Sequence, residues 1–525
     1  MEGLIGETSY NNNLVGRPGV NNKLKLINDI LNAAGSRGYI VGGWLRDKLL
    51  GRSPGDVDLV VEVAADVPEP EWPEVAHRLN GTLVVLDEQR GLYRLVLPAG
   101  DGKIQVDIDV VAGGTLNANL KKRDFTINAQ ALPLSAGLGG ELDERQVVDP
   151  LGGLVDLRAG LIRACGTDAI ASDPLRALRA FRFAAQLGFV IEQGTIDLIK
   201  HCRQPVTGCA GERQWDEFSA ILELRSAPVF RWMEQETGLL EQIIPEIKPL
   251  KGLVQGGHHV EDAWEHSLKT LKQFEVLWSE QGLAVGNGAV PSHEKGAGEG
   301  LWAEILSGVP AEHIAGYLNG YITRVHTRVP VFKLACLLHD VGKQYTRRYE
   351  GNGKYTFYGH HQAGVPVVQS VAERLKMSAR EKDILGVLVG GHMDPLFLYK
   401  AAPPTPVAVR RFFQRSGLEA PGLLLLSLAD ICSTRLAAGR EEEAKAYAAF
   451  IQDMLLKYFN EYDMVVQPAR LLNGNDVCAL LGIKPSPQVR RVLELLADAQ
   501  VEGKVKTRVE AEAFVRHMAA QTGFH

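Results

Sequence analysis

The sequence predicts an α+β fold whose mixed head gives way to a mainly helical remainder, and three observations carry that prediction. Short β-branched runs alternate with helical patterns from about residue 21 to residue 163. From about Ser172 the strand signal fades and apolar residues recur at helical spacing. At 525 residues the chain exceeds what one compact core holds, so roughly three or four domains are expected at about 100 to 200 residues each.

Taken in order, residues 1–20 (MEGLIGETSYNNNLVGRPGV) lack a basic region leading into an apolar segment and a cleavage site, so they read as a flexible tail. Residues 21–163 form the head. KLKLINDILNAAG has helical spacing, and GYIVGG, DVDLVVEV, GTLVVLD, YRLVLP and IQVDIDVV read as strands. Residues 164–254 form a helical neck, with DPLRALRAFRFAAQLGF and ERQWDEFSAILEL as its helices. Residues 255–436 form a second, all-helical domain with a glycine-rich insertion near 279–302, and LYKAAPPTPV within it is a proline-rich linker. Residues 437–525 begin with a charged helix and end in a small helical module.

Composition narrows the function classes. No apolar run approaches the roughly 18 residues that span a bilayer, which argues against a membrane role. Six cysteines without a CxxC spacing suit reduced thiols in a cytoplasm. A net charge of -6 argues against indiscriminate nucleic-acid binding but leaves room for an RNA held by local basic patches.

The chemistry-bearing stretch is Ile40 to Val61, IVGGWLRDKLLGRSPGDVDLVV. Asp56 and Asp58 stand two apart at a strand opening, so their side chains share a face while Val57 and Leu59 point away. Carboxylates so placed can bridge two divalent ions about 3.5 to 4 Å apart. IQVDIDVV repeats the pattern: Gln105, Asp107 and Asp109 share a face opposite Ile104, Val106 and Ile108, offering Asp107 as a third carboxylate. Gly42 and Gly43 let backbone amides approach a triphosphate, the following helix directs its positive end there, and Arg46 adds charge. A lone DxD is usually a turn or cap and a lone GG usually a turn. In the order GG, RD, G, DxD they form one mechanical unit.

Five stretches in order, GGWLRDKLLGRSPGDVDL, KKRDFTINAQAL, DPLGGLVDLRAGLIRA, SDPLRALRAFRFAAQLGF and ERQWDEFSAIL, resemble the motifs of the class II tRNA nucleotidyltransferase and bacterial poly(A) polymerase family. The likeness covers roughly residues 25 to 250. It implies a DNA polymerase β-like head followed by a helical neck. It assigns Mg²⁺ to Asp56 and Asp58, and the ribose and triphosphate of an incoming nucleotide to Arg123, Asp124 and Asn128. Asp173 and Arg176 match the pair that reads the base, with Arg179 and Arg182 following on the same helix. A carboxylate acceptor beside a guanidinium donor suits cytosine and adenine, which both present an amine donor next to a ring-nitrogen acceptor. Two departures stand out. Ser172 occupies a position where the family usually has an acid. Only VVAGGTLNANLKK separates Asp109 from Arg123, a brevity that resembles members adding two cytidines alone.

Further on, HHVEDAWEHSLKTL, LACLLHDVGK, YGHHQAGV, VGGHMDP and LLLLSLADICS together resemble the HD superfamily of metal-dependent phosphohydrolases. The resemblance implies one divalent transition metal on His266, His339, Asp340 and Asp430. His360 and His392 match the additional histidines of fuller sites, and Lys343 lies in the HDxGK extension. In the final module Arg490, Arg491, Lys504, Lys506 and Arg508 are either RNA-backbone contacts or solvated helix faces. The expected protein is therefore a cytoplasmic tRNA 3′-end nucleotidyltransferase using CTP and ATP. Its rivals are a CC-adding enzyme, a poly(A) polymerase and a chain that works mainly as an HD phosphohydrolase.

Overall fold

The computed structural model describes residues 18–99, 102–138, 142–255, 261–280, 308–351, 353–401, 403–466 and 468–522. Of the tail expected over residues 1–20, residues 1–17 lie outside them while Pro18, Gly19 and Val20 open the first helix instead, and the insertion expected near 279–302 lies outside them from residue 281 on. The chain divides into two compact units, Met1–Cys209 and Ala210–His525.

In the first unit, helix α1 (Pro18–Ala33) buries Val20, Leu24, Ile27 and Leu31, spaced to share one face. Strands β1 (Arg37–Val41), β2 (Val57–Val63), β3 (Thr82–Asp87), β4 (Leu92–Ala99), β5 (Gly102–Ala112) and β6 (Ala131–Pro133) make one sheet in the order β3-β4-β5-β2-β1-β6. Its neighbours pair antiparallel except β2 with β5. Alternation along the strands decides what each face carries. Val57, Leu59, Val61 and Val63 of β2 join Ile104, Val106, Ile108 and Val110 of β5 in a core with the apolar face of α1. Asp58 and Asp107 therefore project from the other face, level with each other in the parallel register. A slip of either strand by one residue would drive its carboxylate into the apolar core. On their own face Val41, Val60, Leu116, Leu120, Ala129 and Ala131 form a smaller core. Helix α2 (Gly42–Leu49) follows β1, α3 (Trp72–Arg78) precedes β3, and α4 (Leu116–Lys121) follows β5.

Among its described residues, the second unit's named elements are helices apart from one short hairpin. Helix Arg328–Leu338 is buried along nearly its whole length and delivers His339 and Asp340 at its C-terminal end. Helix His360–Arg374 comes so close that a Cβ on Gly342 would sit 2.0 Å from the carbonyl oxygen of His360, which is why glycine follows Val341. Helix Ala379–Gly391 starts at a capping box of Ser378 and Glu381 and leads to His392. Helices Ala263–Glu280 and Ala420–Ala437 supply His266 and Asp430. The latter corrects the expectation about apolar runs. Among the described residues, Pro406–Ala437 is long and apolar enough by length and composition to cross a membrane, yet 72% of its apolar window is buried inside the protein. The long helix Glu441–Val465 precedes a module of three helices, Gly474–Leu481, Pro487–Val501 and Arg508–Thr522, with its own core around Val477, Val492 and Val515.

Candidate functional site

Asp56 immediately precedes β2 and accepts the Gln105 N–H at 3.3 Å, which ties the acidic turn to β5. Asp58 accepts the Gly43 N–H and faces Arg123. Burial raises both carboxyls above the usual range and the charge of Asp107 adds to this, while Arg94 acts against it at Asp56 and Arg123 at Asp58. Asp107 itself is gripped by Arg94, its cross-strand partner, with Nε to Oδ1 at 2.6 Å and Nη2 to Oδ2 at 2.8 Å. A group of three carboxylates whose charge two arginines only partly offset, all hard oxygen donors, fits a divalent cation.

Gly42 is required twice over. Its φ is +69°, and a Cβ there would lie 2.7 Å from Asp58 Oδ2 and 3.1 Å from Arg123 Nη1. At Gly43 the nearest atom to a built Cβ is Arg46 Nη2, at 3.7 Å.

Beside the carboxylates a buried polar chain joins three segments. Asp47 Oδ1 accepts Arg46 Nη2 at 2.7 Å, Arg46 Nη1 donates to Asn128 Oδ1 at 3.0 Å, and Asn128 Nδ2 donates to Asp124 Oδ1 at 3.1 Å. Asp124 Oδ2 then pairs with Arg179 Nη2 at 3.1 Å. The ring of Phe183 lies against this chain, with the guanidinium carbons of Arg182, Arg46 and Arg179 at 4.6, 5.0 and 5.4 Å from its centroid. Phe183 and Arg94 were not anticipated. Phe183 carries a readable signal, since it follows Arg179 by one helical turn, whereas Arg94 is found only once the β4–β5 register is known.

Helix Arg176–Leu187 places Arg176, Arg179 and Arg182 as its spacing predicts. Arg176 Nη1 donates to the carbonyls of Ala169 at 3.0 Å and Arg123 at 3.3 Å and to Ser172 Oγ at 3.3 Å, and its Nη2 donates to the Lys122 carbonyl at 2.9 Å. Asp173 lies at the end of helix Ala169–Ser172 and accepts the Leu175 N–H at 3.4 Å.

In the second unit the six expected ligands come together as two groups of three. His266, His339 and Asp430 form one, and Asp340, His360 and His392 the other, each with its donor atoms within 4.8 Å of one another. His266 Nε2 lies 3.0 Å from Asp430 Oδ1 and 3.2 Å from His339 Nε2. Asp340 belongs to both sides, its Oδ2 3.3 Å from His339 Nε2 and its Oδ1 3.2 Å from His360 Nε2. Lys343 pairs with Asp340 at 2.5 Å and also donates to Gln255.

The hydrogen bonds fix the imidazoles for metal. Nδ1 of His339, His360 and His392 lies 2.9, 2.9 and 2.8 Å from the carbonyls of Cys336, Phe357 and Val389. A carbonyl only accepts, so each Nδ1 carries a hydrogen, which leaves Nε2 as the atom each ring can offer to a metal. Burial, with the charges of His339 and His360, pushes His392 down to about 3, so it stays neutral. The Nε2 atoms of His360 and His392 are 3.2 Å apart. Nitrogens each about 2.1 Å from one ion subtend a similar separation.

The basic residues of the final module are partly paired within it: Arg490 with Glu494, Lys504 with Glu502, and Arg508 with Asp476 and Glu512.

Comparison with known proteins matches residues 38–90 and 98–163 to the poly A polymerase head domain, 188–251 to the probable RNA and SrmB-binding site of polymerase A, and 311–434 to the HD domain. Head and HD domains both imply divalent metal. An A-adding tRNA nucleotidyltransferase of Deinococcus radiodurans is 31% identical over 489 residues, spanning 92% of this chain and 96% of the relative. A CC-adding tRNA nucleotidyltransferase of Thermus thermophilus is 33% identical over 484 residues, 91% of this chain and 92% of the relative. A solved CCA-adding enzyme in an apo form superposes with a TM-score of 0.60 at 19% identity, covering 96% of this chain and 94% of that one, a likeness of fold.

Proposed function

This chain belongs to the tRNA nucleotidyltransferase and poly(A) polymerase family, and from that premise we propose that it extends the 3′ end of tRNA with C and A from CTP and ATP, releasing pyrophosphate. The observation that carries the reading is the acidic edge: Asp58 level with Asp107, Asp56 just before the strand, and the Gly43 amide and Arg123 turned onto Asp58. Asp56 and Asp58 would hold Mg²⁺, which when bound acidifies the tRNA 3′-hydroxyl and steadies the charge on the departing pyrophosphate. Asp107, oriented by Arg94, closes the acidic face as the third carboxylate. Gly42, Gly43 and Arg46 receive the triphosphate, and Arg123, Asp124 and Asn128 position the sugar and phosphates. Asp173 and Arg176 read the base. Because both terminal nitrogens of Arg176 rest on Ala169, Ser172, Lys122 and Arg123, base reading entails an exchange of those bonds as nucleotide enters. Arg179 and Arg182 add charge on the same helix, and a tRNA substrate supports a cytoplasmic site of work.

One observation favours a second reading, addition of two cytidines only. The connection from β5 to Arg123 is folded: Leu116 and Leu120 are buried, the Leu116 N–H donates to Glu62 at 3.0 Å, and Asn119 Nδ2 donates to Asp109 at 2.7 Å. A segment so anchored leaves little chain to rearrange between C and A addition.

The histidine and aspartate cluster supports a hydrolytic activity in the same chain, on terminal phosphates of RNA with a transition metal bound. Water adds to phosphorus, the bond from phosphorus to the ribose oxygen breaks, that oxygen takes a proton and phosphate leaves. The test of the transferase reading is to supply Mg²⁺ with labelled CTP, ATP or both to tRNA transcripts ending at the discriminator base, at C and at CC. Growth to CCA supports the first reading, a stop at CC supports the second, and no incorporation on any transcript overturns both.

A further inference from the structure

Between Lys343 and His360, both of which touch Asp340, the chain leaves the cluster and returns as a hairpin. Its strands, Arg348–Gly351 and Lys354–Thr356, set Tyr355 opposite Tyr349. Four of the chain's 13 tyrosines fall between residues 345 and 358, a stretch with no Leu, Ile, Val or Met, so no aliphatic core explains them. Tyr358, Tyr345 and Tyr349 are 81%, 64% and 63% exposed. The Tyr349 and Tyr355 rings stand 5.3 Å apart, and the Arg347 guanidinium lies 3.9 Å from the centre of Tyr355. Arg348 and Lys354 are exposed. Both ends are fastened to the cluster: Lys343 pairs with Asp340 and lies 5.7 Å from the Phe357 ring, while the Phe357 carbonyl accepts the Nδ1–H of His360.

Resting on the reading of the cluster as a phosphohydrolase, we propose that this hairpin is its substrate platform, stacking the bases of a single-stranded RNA end on its tyrosines while Arg347, Arg348 and Lys354 meet the phosphates. Rings interleaved with cations are what a sequence-tolerant single-strand surface needs, because every base has a π-face and every linkage a charge. A protein partner would leave the junction with a phosphate-directed centre without purpose.

The test uses the full chain with Mn²⁺, Co²⁺ or Ni²⁺ in turn, and two substrates: p-nitrophenyl phosphate, which has no base, and a fluorescein-labelled RNA hexamer ending in a 3′-phosphate. The double variant Tyr349→Ala/Tyr355→Ala should raise KM for the hexamer about tenfold or more, as expected for a lost stack, with turnover of the small ester within about twofold. Tyr349→Phe/Tyr355→Phe keeps the rings and should restore the hexamer KM, whereas the leucine pair should not. An unchanged hexamer KM in the alanine pair overturns the platform and leaves the hydrolase reading standing. If the wild type cleaves neither substrate, the hydrolase reading fails by itself, and fluorescence anisotropy with the same hexamer decides the platform: a tenfold rise in Kd supports it and an equal Kd overturns it.

Discussion

Adjacent glycines at the mouth of the acidic edge call for opposite outcomes. In Gly42→Ala the new Cβ meets Asp58 Oδ2 at 2.7 Å, so the carboxylate must withdraw by about 0.7 Å to reach ordinary contact at 3.4 Å. The φ of +69° adds a backbone penalty of roughly 1–2 kcal/mol for a residue with a side chain. A misplacement of about 1 Å at reacting groups costs on the order of 100-fold, equivalent to about 2.7 kcal/mol of barrier. We therefore expect Gly42→Ala to lower kcat/KM for CTP incorporation by about 100-fold, with a fall in stability of about 1–2 kcal/mol. Gly43→Ala keeps the N–H that Asp58 accepts, and its Cβ meets nothing nearer than 3.7 Å. It should stay within about 0.5 kcal/mol of the parent in stability. Single-turnover incorporation into a tRNA transcript, with thermal melts run alongside, reads both quantities. Near-parental activity in Gly42→Ala, or equal losses in the two variants, would refute the reasoning.

Asp58→Ala should abolish nucleotide incorporation and leave phosphate-ester hydrolysis intact, while Asp340→Asn should do the reverse and lower bound transition metal as counted by elemental analysis. Loss of both activities in either variant would contradict two separate sites. Phe183→Leu removes the ring beside three guanidiniums, interactions worth roughly 1–2 kcal/mol together, and should raise KM for CTP and ATP about 5- to 30-fold; an unchanged KM counts against a positioning role. Burial raises the Glu381 carboxyl, but the hydrogen bonds from His326, Ser378 and Trp215 outweigh it and hold the group down to about 2. The folded value lies below the ordinary 4.5, so this stabilisation is complete above about 4.5 and disappears as the pH falls from there toward about 2. Calorimetric Tm measured stepwise through that window should fall more steeply in the parent than in Glu381→Gln, and parallel curves would sink the assignment.

The sequence made the acidic edge legible because strand alternation is local. Asp56 could be set beside Asp58, and Asp107 beside Asp109, from their neighbours alone; the parallel register then brings Asp58 level with Asp107, with Asp56 just before the strand. The six residues of the second cluster were legible from motif order, yet their division into two groups joined by Asp340 was not, since it depends on how five separate helices come together. The grip of Arg94 on Asp107 and the backbone partners of Arg176 come from contacts between residues distant along the chain, which no local pattern encodes. The apolar helix Ala420–Ala437 was underestimated for a different reason. Its charges, Asp430 and Arg435, interrupt the run, although the rest is apolar enough to pass for a membrane span.

The parallel pairing of β2 with β5 also bears on how the protein is made. On either side of it the strands pair antiparallel, in β3-β4-β5 and β2-β1-β6, and the acidic residues straddle the seam between these halves. Joining β2 to β5 closes a long excursion of chain through β3 and β4, an entropic cost that is met before the contact gives anything back. A nascent chain that has released β1 and β2 from the ribosome therefore holds Asp56 and Asp58 beside β1 but lacks β5 and its Asp107. Catalytic competence then becomes a late checkpoint of synthesis. Incorporation activity in mild denaturant should vanish while most helical signal persists, making the enzyme a sensor of its own seam.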